Sequence, residues 1–435
     1  MPARPRRRPM PRPGRTRTAA TLGSLVVAAL LAGCGTPPPS TGPAGPTGAA
    51  SASSGTPSTA TSASPSGSAT SAASPSASRS ASASASATSG GSCQALAGRL
   101  SRPEQVGQLF MVAANSVRVT QADLDRLAGL HIGSVLLLGN TDGGAAAVQK
   151  HIGVVKDGVG SVDGIEPMLA VDQEGGLVQR LSGPGFSTIP SATVQGTWSS
   201  STLESRAAGW GRQLRAVGVD VDLAPVADVV PASLTSVNQP IGVLKREYGT
   251  TPGAVAPKVA AFVQGMRSAR IGTSVKHFPG LGQVRGNTDF DTNVVDSVTT
   301  RHDADLAGFA AGVKAGADMV MISSATYARI DADRPAAFSP TVIQGMVRGD
   351  LGFDGVVISD DLAGKALGGS YGSRATRFFA AGGDLAIMGQ PASASAMTQA
   401  TLAKANSDRQ FAATVEAAAA RVLALKARYG LADCS

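Results

Sequence analysis

The feature that most constrains the fold of this chain is a series of short apolar runs separated by Ala-rich stretches of helical length, such as 120–130, 303–315 and 340–351. The runs are Gln108–Val112, Gly133–Gly139, Pro167–Val171, Val219–Val226, Thr273–Val275, Met319–Ile322, Val356–Ile358 and Leu385–Met388. Strands that alternate with helices form parallel sheets, and a count of about eight favours closure into a barrel. We therefore expect an α/β fold, a single (β/α)8 TIM-type barrel over residues 93–435, whose weak first strand could be irregular. No G-x-G-x-x-G turn follows the first strand, which argues against an open dinucleotide-binding sheet.

The N-terminal segment is typical of an export signal. Residues 1–33 contain seven arginines and no acid, and the apolar run Leu22–Leu31 within them is short for a membrane span. The sequence Leu31-Ala32-Gly33-Cys34 resembles the lipobox of bacterial lipoproteins, which implies cleavage before Cys34 and lipidation of this cysteine. We expect an exported protein, anchored by lipid to the outer face of the cytoplasmic membrane or cell envelope. The alternative is a soluble secreted protein cleaved nearby.

Composition separates a tether from the folded part. Residues 34–92 are almost entirely Ser, Ala, Thr, Pro and Gly, with Arg79 as their only charge, so they bury too little apolar surface to fold. Removing the seven signal arginines from the net charge of +8 leaves about +1, which gives no indication of nucleic-acid binding. Cys93 and Cys434 flank the predicted domain, and in an oxidising envelope we expect them to form a disulfide. Two free surface thiols are the alternative.

Polar clusters follow several of the predicted strands. In a parallel α/β protein the carboxyl ends of the strands carry the chemistry. The residues of these clusters are Asp172 and Arg180 after the third run, Asp228 after the fourth, Lys276 and His277 after the fifth, and Asp360 and Asp361 after the seventh. Such charges meeting at one mouth are costly unless they are paired or bind a polar ligand, and sugar hydroxyls are such a ligand. The structural alternatives are that Asp360 or Asp361 caps the following helix and that Asp228 bonds only to backbone.

A retaining glycosidase needs one ionised carboxylate as nucleophile and a proton donor about 5–5.5 Å away. Asp360 is our first candidate for the nucleophile. A neighbouring cation would keep its pKa low, and we expect Lys276 to supply that charge.

The residues also carry a family resemblance. The segment 346–363, which contains Ser359-Asp360-Asp361, resembles the active-site signature of glycoside hydrolase family 3, whose nucleophile is the aspartate directly after Ser or Thr. This assigns the nucleophile to Asp360. Three further segments resemble other blocks of this family, in the same order. They are Asp172-Gln173-Glu174-Gly175-Gly176 with Arg180, Ala224-Pro225-Val226 with Asp228, and Lys276-His277-Phe278-Pro279-Gly280. The similarity covers roughly residues 95–430.

Within that family the chain resembles the single-domain β-N-acetylhexosaminidase branch, since no second α/β domain follows the barrel. The resemblance implies that Asp172, Arg180, Lys276 and His277 hold the hydroxyls and the acetamido-bearing sugar. Arg246, which follows an Ile-Gly pair with a spacing two residues longer than expected, is the matching arginine.

The chain departs from this branch at the proton donor. The branch places Asp-Ser-His on a mobile loop after KHFPG, whereas this chain has Asn287-Thr288-Asp289-Phe290-Asp291 and no histidine there. We predict Asp291 as general acid/base, with Asp289 as second candidate or orienting partner, because two neighbouring acids raise each other's pKa. The alternative is a loop that has lost its donor and hydrolyses only substrates with good leaving groups.

The predicted function is that of a retaining exo-β-N-acetylglucosaminidase acting on cell-wall or muropeptide fragments. It would use a covalent glycosyl-Asp360 intermediate and neither metal nor organic cofactor. The alternatives are a carbohydrate-binding lipoprotein with little catalysis, and a β-glucosidase or phosphorylase variant of the same barrel.

Overall fold

The computed structural model describes residues 92–435. The predicted signal peptide, the tether up to residue 91 and Cys34 lie outside the described residues. No helix within residues 92–435 combines the length and apolar character that crossing a membrane requires.

Eight parallel strands form the predicted barrel. They are β1 Phe110–Asn115, β2 Ser134–Leu138, β3 Met168–Val171, β4 Val221–Asp222, β5 Gly272–Phe278, β6 Met319–Ile322, β7 Val356–Ser359 and β8 Ala386–Met388. Each strand from β1 to β6 pairs in parallel with the next in sequence, and β8 pairs with β1. A parallel bridge between Ile358 and Leu385 joins β7 to the segment that enters β8 and closes the ring. The (β/α)8 fold is thus confirmed.

Helices surround the barrel between successive strands. They span 92–99, Arg102–Gln108, Gln121–Gly129, Gly144–Val159, Ala192–Gln195, Ser200–Val217, Pro252–Ser268, Ala307–Ala315, Tyr371–Ala380, Ala394–Ser407 and Arg409–Arg428, with a π-helix at Thr341–Asp350 and short 3-10 turns at Ala304–Leu306, Ala336–Phe338 and Pro391–Ser393. Short two- to five-residue strands lie outside the barrel at Gln173–Gly175, Val178–Gln179, Val295–Asp296, Thr326–Tyr327 and Asp331–Pro335. The helix at Arg102 begins with a capping box, in which Ser101 N–H donates to the Glu104 carboxylate at 2.8 Å.

The irregular strand is β4, and the expectation that it could be β1 is wrong. β1 has six residues and a continuous five-pair register with β2. In contrast, the run Val219–Val226 yields only Val221–Asp222 as regular strand. The physical reason is Pro225, which has no N–H to donate to the ladder.

Two apolar layers fill the protein. Inside the barrel, side chains such as Met111, Met168 and Met319 pack in one cluster, which Leu425 and Tyr429 from the last helix and its C-terminal end join. A larger cluster lies between the strands and the surrounding helices. Since the barrel interior is packed, we expect a ligand to bind at the carboxyl ends of the strands.

The two ends of the described domain are joined covalently. Cys93 and Cys434 form a disulfide with a Cα–Cα distance of 4.8 Å, across 341 positions of sequence. The closed barrel brings its first and last helices together, since the helix Arg102–Gln108 packs on Arg409–Arg428.

Candidate active site

A cavity of ≈ 290 Å³ opens at the carboxyl ends of the strands. Its lining includes residues that follow or end β3, β5, β7 and β8, namely Asp172, Lys276, His277, Asp360 and Gly389, together with Arg180, Arg246 and Asp289 from loops. Its volume lies at the lower end of the ~300–1,000 Å³ typical of small-molecule sites. The fold therefore brings nearly all of the predicted site residues to one mouth.

The floor of the cavity is a buried ion cluster. Lys276 Nζ donates to Asp172 Oδ1 at 2.7 Å and lies 2.6 Å from Glu174 Oε1. Arg246 holds the same Glu174 with two bonds, from Nε to Oε2 at 2.8 Å and from Nη2 to Oε1 at 2.7 Å. Burial favours a neutral Glu174, but the charges of Arg246 and Lys276 outweigh it and hold its pKa well below the ordinary value. The cluster thus keeps its charges fixed and paired.

Glu174 was not among the predicted site residues, although it lies in the DQEGG motif. Its side chain is only 5% exposed and accepts from both Lys276 and Arg246. Both partners lie more than seventy positions away in sequence, so this role appears only in the folded chain. The following Gly175 has φ +105°, and a Cβ there would lie 2.4 Å from the Pro190 carbonyl oxygen. Glycine is therefore required for the turn that aims Glu174 inward. The sequence signal that could have identified Glu174 as a site residue is the DQEGG motif.

His277 is oriented by Asp228 below the cavity. Its Nδ1 lies 2.8 Å from Asp228 Oδ2, and its backbone N–H donates to Oδ1 of the same carboxylate at 3.1 Å. Asp228 Oδ1 also accepts the Leu281 N–H at 2.8 Å. With Nδ1 held there, the other ring nitrogen, Nε2, lies 3.4 Å from Arg246 Nη2. Asp228 therefore bonds to a side chain as well as to backbone and positions His277.

Arg180 extends into the cavity from the turn after Gly175. Its backbone N–H donates to Gln173 Oε1 at 3.0 Å, and its Nη1 donates to Asn140 Oδ1 at 3.0 Å. Its Nε is buried and, among residues 92–435, has no hydrogen-bond acceptor. A buried donor without an acceptor is suited to an oxygen atom of a ligand.

Asp360 leaves β7 directly into the cavity. Its Oδ1 accepts the N–H of Asp361 at 2.8 Å, which fixes the plane of the carboxyl group. Burial raises the pKa of Asp360; the charges of His277 and Lys276 lower it, and Asp289 raises it further. Lys276 thus lowers this pKa as expected, but the expectation of a low pKa is wrong because burial outweighs the ammonium charge, whose close partners are Asp172 and Glu174.

Asp361 lines the cavity and also fixes the course of the chain at the strand ends. Its Oδ1 accepts the N–H of Ala363 and of Gly389, at 2.8 and 2.9 Å. A Cβ at Gly389 would lie 2.2 Å from Asp361 Oδ2, so only glycine allows this approach. These bonds tie the ends of β7 and β8 together.

The loop after β5 places Asp289, and not Asp291, at the cavity. Asp289 is exposed at the mouth but lines the cavity, and removal of its carboxyl group from part of its water, followed by the charge of Asp361, raises its pKa. Asp291 is also exposed but does not line the cavity, and its Oδ2 accepts the N–H of Asn287 at 2.8 Å, which turns the carboxylate back along the loop. The geometry therefore does not support Asp291 as the proton donor and favours Asp289, the second candidate, because a donor must reach the scissile bond.

A comparison with protein-family models assigns the chain that carries this site to a family. The family model described as the glycosyl hydrolase family 3 N terminal domain matches residues 102–425. The chain belongs to this family. Within residues 92–435, no cluster of three or more His, Cys, Asp or Glu side chains is placed to hold a metal ion.

Individual relatives of this family-3 protein are named hexosaminidases. A β-hexosaminidase of Methylococcus capsulatus is 36% identical over 231 residues, which cover 51% of this chain and 66% of the relative. One from Xylella fastidiosa is 40% identical over 215 residues, covering 47% and 61%. The match therefore spans less than two thirds of the length of these curated relatives.

Solved structures of family-3 proteins are similar to this chain over a larger share of its length than the curated relatives are. The crystal structure of a β-N-acetylhexosaminidase from Beutenbergia cavernae superposes with a TM-score of 0.74 at 44% identity, covering 75% of this chain and 99% of that one. A family-3 β-N-acetylglucosaminidase from Paenibacillus has a TM-score of 0.70 at 28% identity, covering 76% and 63%.

Proposed function

We propose that the protein is a retaining exo-β-N-acetylglucosaminidase that forms a covalent intermediate on Asp360. The observation that carries this proposal is that Asp360 and Asp289, from different strand ends, line one small cavity above the cluster of Lys276, Glu174 and Arg246. Two acids with distinct surroundings provide a nucleophile and a proton donor. The names of the related hexosaminidases support the choice of an acetamido sugar.

The protonation states of Asp360 and Asp289 set which group acts as nucleophile and which as proton donor. A charge on Asp289 raises the pKa of Asp360, whereas His277 and Lys276 favour the ionised form of Asp360. When Asp289 holds the proton, Asp360 loses this repulsion and ionises. The pair with one proton is therefore the reactive form.

In the first step Asp360 attacks the anomeric carbon, the glycosidic C–O bond breaks, and the proton of Asp289 moves to the leaving oxygen. In the second step Asp289 accepts a proton from water, the water oxygen bonds to the anomeric carbon, and Asp360 is released as carboxylate. The cavity, at ≈ 290 Å³, suits one terminal sugar ring rather than a continuous chain, which supports exo action.

The deciding experiment uses Asp360→Ala with an aryl β-N-acetylglucosaminide and the matching aryl β-glucoside. The wild type should release the aryl group from the acetamido sugar in preference to the glucoside. The variant should lose activity by a factor on the order of 10⁴, because no nucleophile remains. Trapping with a 2-fluoro glycosyl donor should label Asp360. Wild-type-like turnover by the variant would refute the assignment.

We further propose that the enzyme acts on cell-wall fragments while tethered by lipid on Cys34. The lipobox-like Leu31-Ala32-Gly33-Cys34 supports the anchor, and the long Ser/Ala-rich tether supports reach into the envelope. Cys34→Ala should move activity from the membrane fraction to the soluble fraction. Wild-type activity found only in the soluble fraction would contradict the anchor, and failure to release N-acetylglucosamine from muropeptides would contradict the substrate.

A further inference from the structure

An aromatic side chain projects into water at the mouth of the cavity. Phe290 lines the cavity, yet it is 69% exposed. Its ring therefore offers an apolar face to a ligand that enters the cavity. Leu177 and Val243, also exposed, are chain neighbours of the cavity-lining Val178 and Leu244. Among these exposed apolar side chains, Phe290 itself lines the cavity and gives its rim an apolar group beside the ion cluster on the floor.

The turn that presents Phe290 is held by hydrogen bonds on both sides. The N–H groups of Phe290 and Asp291 donate to the Asn287 carbonyl oxygen at 3.1 and 2.8 Å. On the other side, Ala366 N–H donates to the Thr288 carbonyl oxygen at 3.0 Å. The ring is thus carried on an ordered turn attached to the segment that follows Asp360.

The position of Phe290 at the cavity mouth, next to Asp289, indicates which part of the substrate it faces. Asp289, its direct neighbour, gives its proton to the leaving oxygen in the proposed function. The group attached to that oxygen leaves the cavity past the donor, and the sugar that stays behind contacts Lys276 and Arg246 on the floor. An exposed ring beside the donor lies on the leaving-group side.

We propose that Phe290 is a specificity-determining platform on which the ring of the leaving group packs. The substrate class is a β-N-acetylglucosaminide whose aglycone carries a ring with an apolar face, either a second sugar or an aryl group. This inference rests on the proposed function and adds the leaving-group subsite to it.

The test compares two activated substrates that differ in whether the leaving group has a ring. 2,4-Dinitrophenyl β-N-acetylglucosaminide and N-acetyl-β-glucosaminyl fluoride both leave with little help from a proton donor, so neither depends strongly on Asp289. Phe290→Ala should lower kcat/KM for the dinitrophenyl substrate about tenfold, through KM, because ring packing is lost. The fluoride should be hydrolysed at the wild-type rate. Phe290→Trp should keep the wild-type preference.

Val298→Ala is the matched control, since Val298 is 47% exposed on the same segment and does not line the cavity. It should change neither substrate. Equal losses on both substrates in Phe290→Ala, or no loss on either, would overturn the platform. Turnover by the wild type is a separate readout: a wild type inactive on both substrates would refute the proposed function itself.

Discussion

The floor and the rim of the cavity are built in opposite ways. On the floor, Lys276 and Glu174 are buried, Arg246 is half-buried, and Glu174 bonds to both cations. On the rim, Asp289 and Phe290 are exposed on a loop fixed by its backbone bonds. In the function we propose, the floor holds the bound sugar with charges that are already paired, and the rim keeps a proton and a ring available for the leaving group. Under that proposal, recognition depends on buried electrostatics and bond cleavage depends on the shape of one turn.

The largest expected effect comes from removing the proposed proton donor, Asp289, from the rim while leaving the floor intact. Asp289→Asn should lower kcat on a natural disaccharide by about 10²–10⁴-fold, because its leaving group needs protonation. Activity on the dinitrophenyl substrate should fall far less, and substrate binding should be retained because the floor is untouched. Steady-state kinetics on both substrates measure this difference. Equal losses on the two would place the proton donor elsewhere.

Glu174→Gln tests the floor. It leaves Lys276 and Arg246 without their shared counter-charge, and breaking a buried pair costs about 3–5 kcal/mol in the free energy of unfolding. Denaturant unfolding measures this loss, and KM for the sugar should rise as well. Asp350→Asn is the matched control: its ion pair with Arg301 is at the surface, so it should cost less than about 1 kcal/mol. A Glu174 variant as stable as that control would contradict the role of the cluster.

Asp291→Ala tests whether the turn positions the donor. The carboxylate of Asp291 accepts the Asn287 N–H at 2.8 Å, and Asn287 Oδ1 in turn accepts the Asp289 N–H at 2.9 Å. Loss of one such bond is worth about 0.5–1.5 kcal/mol, so kcat on the disaccharide should fall by about two- to tenfold with little change on activated substrates. Asp291→Asn, which keeps an acceptor oxygen, should restore most of the rate. A loss as large as that of Asp289→Asn would return Asp291 to the role of donor.

The smallest expected effect is a change in the pH profile. Burial raises the pKa of both Asp360 and Asp289, and the charge of Asp361 raises the pKa of Asp289 further, so both limbs of kcat/KM should lie above the pH expected for ordinary aspartates. The acid limb reflects the loss of the Asp360 carboxylate, and the alkaline limb reflects the loss of the Asp289 proton. In Asp289→Asn the alkaline limb should disappear, and the acid limb should stay in place because Asp289 is already protonated and uncharged at that pH. An alkaline limb that persists in this variant would show that it belongs to another group.

Motifs at strand ends were predictable, and side-chain directions on loops were not. The position of Asp360 directly after an apolar run placed it at the mouth, and Asp172, Lys276 and His277 followed the same rule. Within the loop 287–291, spacing alone could not separate Asp289 from Asp291, because the hydrogen bond from Asn287 to Asp291 decides which acid faces inward.

The sequence by itself determined the barrel, its mouth and the family motifs, because strand and helix patterns and the residues that end strands are local properties of the chain. Only the tertiary structure decided the partners of each charge. Lys276 was expected to keep the pKa of Asp360 low, and it does lower this pKa, but burial outweighs its charge. Folding brings Asp172 and Glu174, over a hundred positions away, within 2.7 Å of the Lys276 ammonium group. Coulomb energy depends on distance through space, so the electrostatics of the site appear only when the strands have closed.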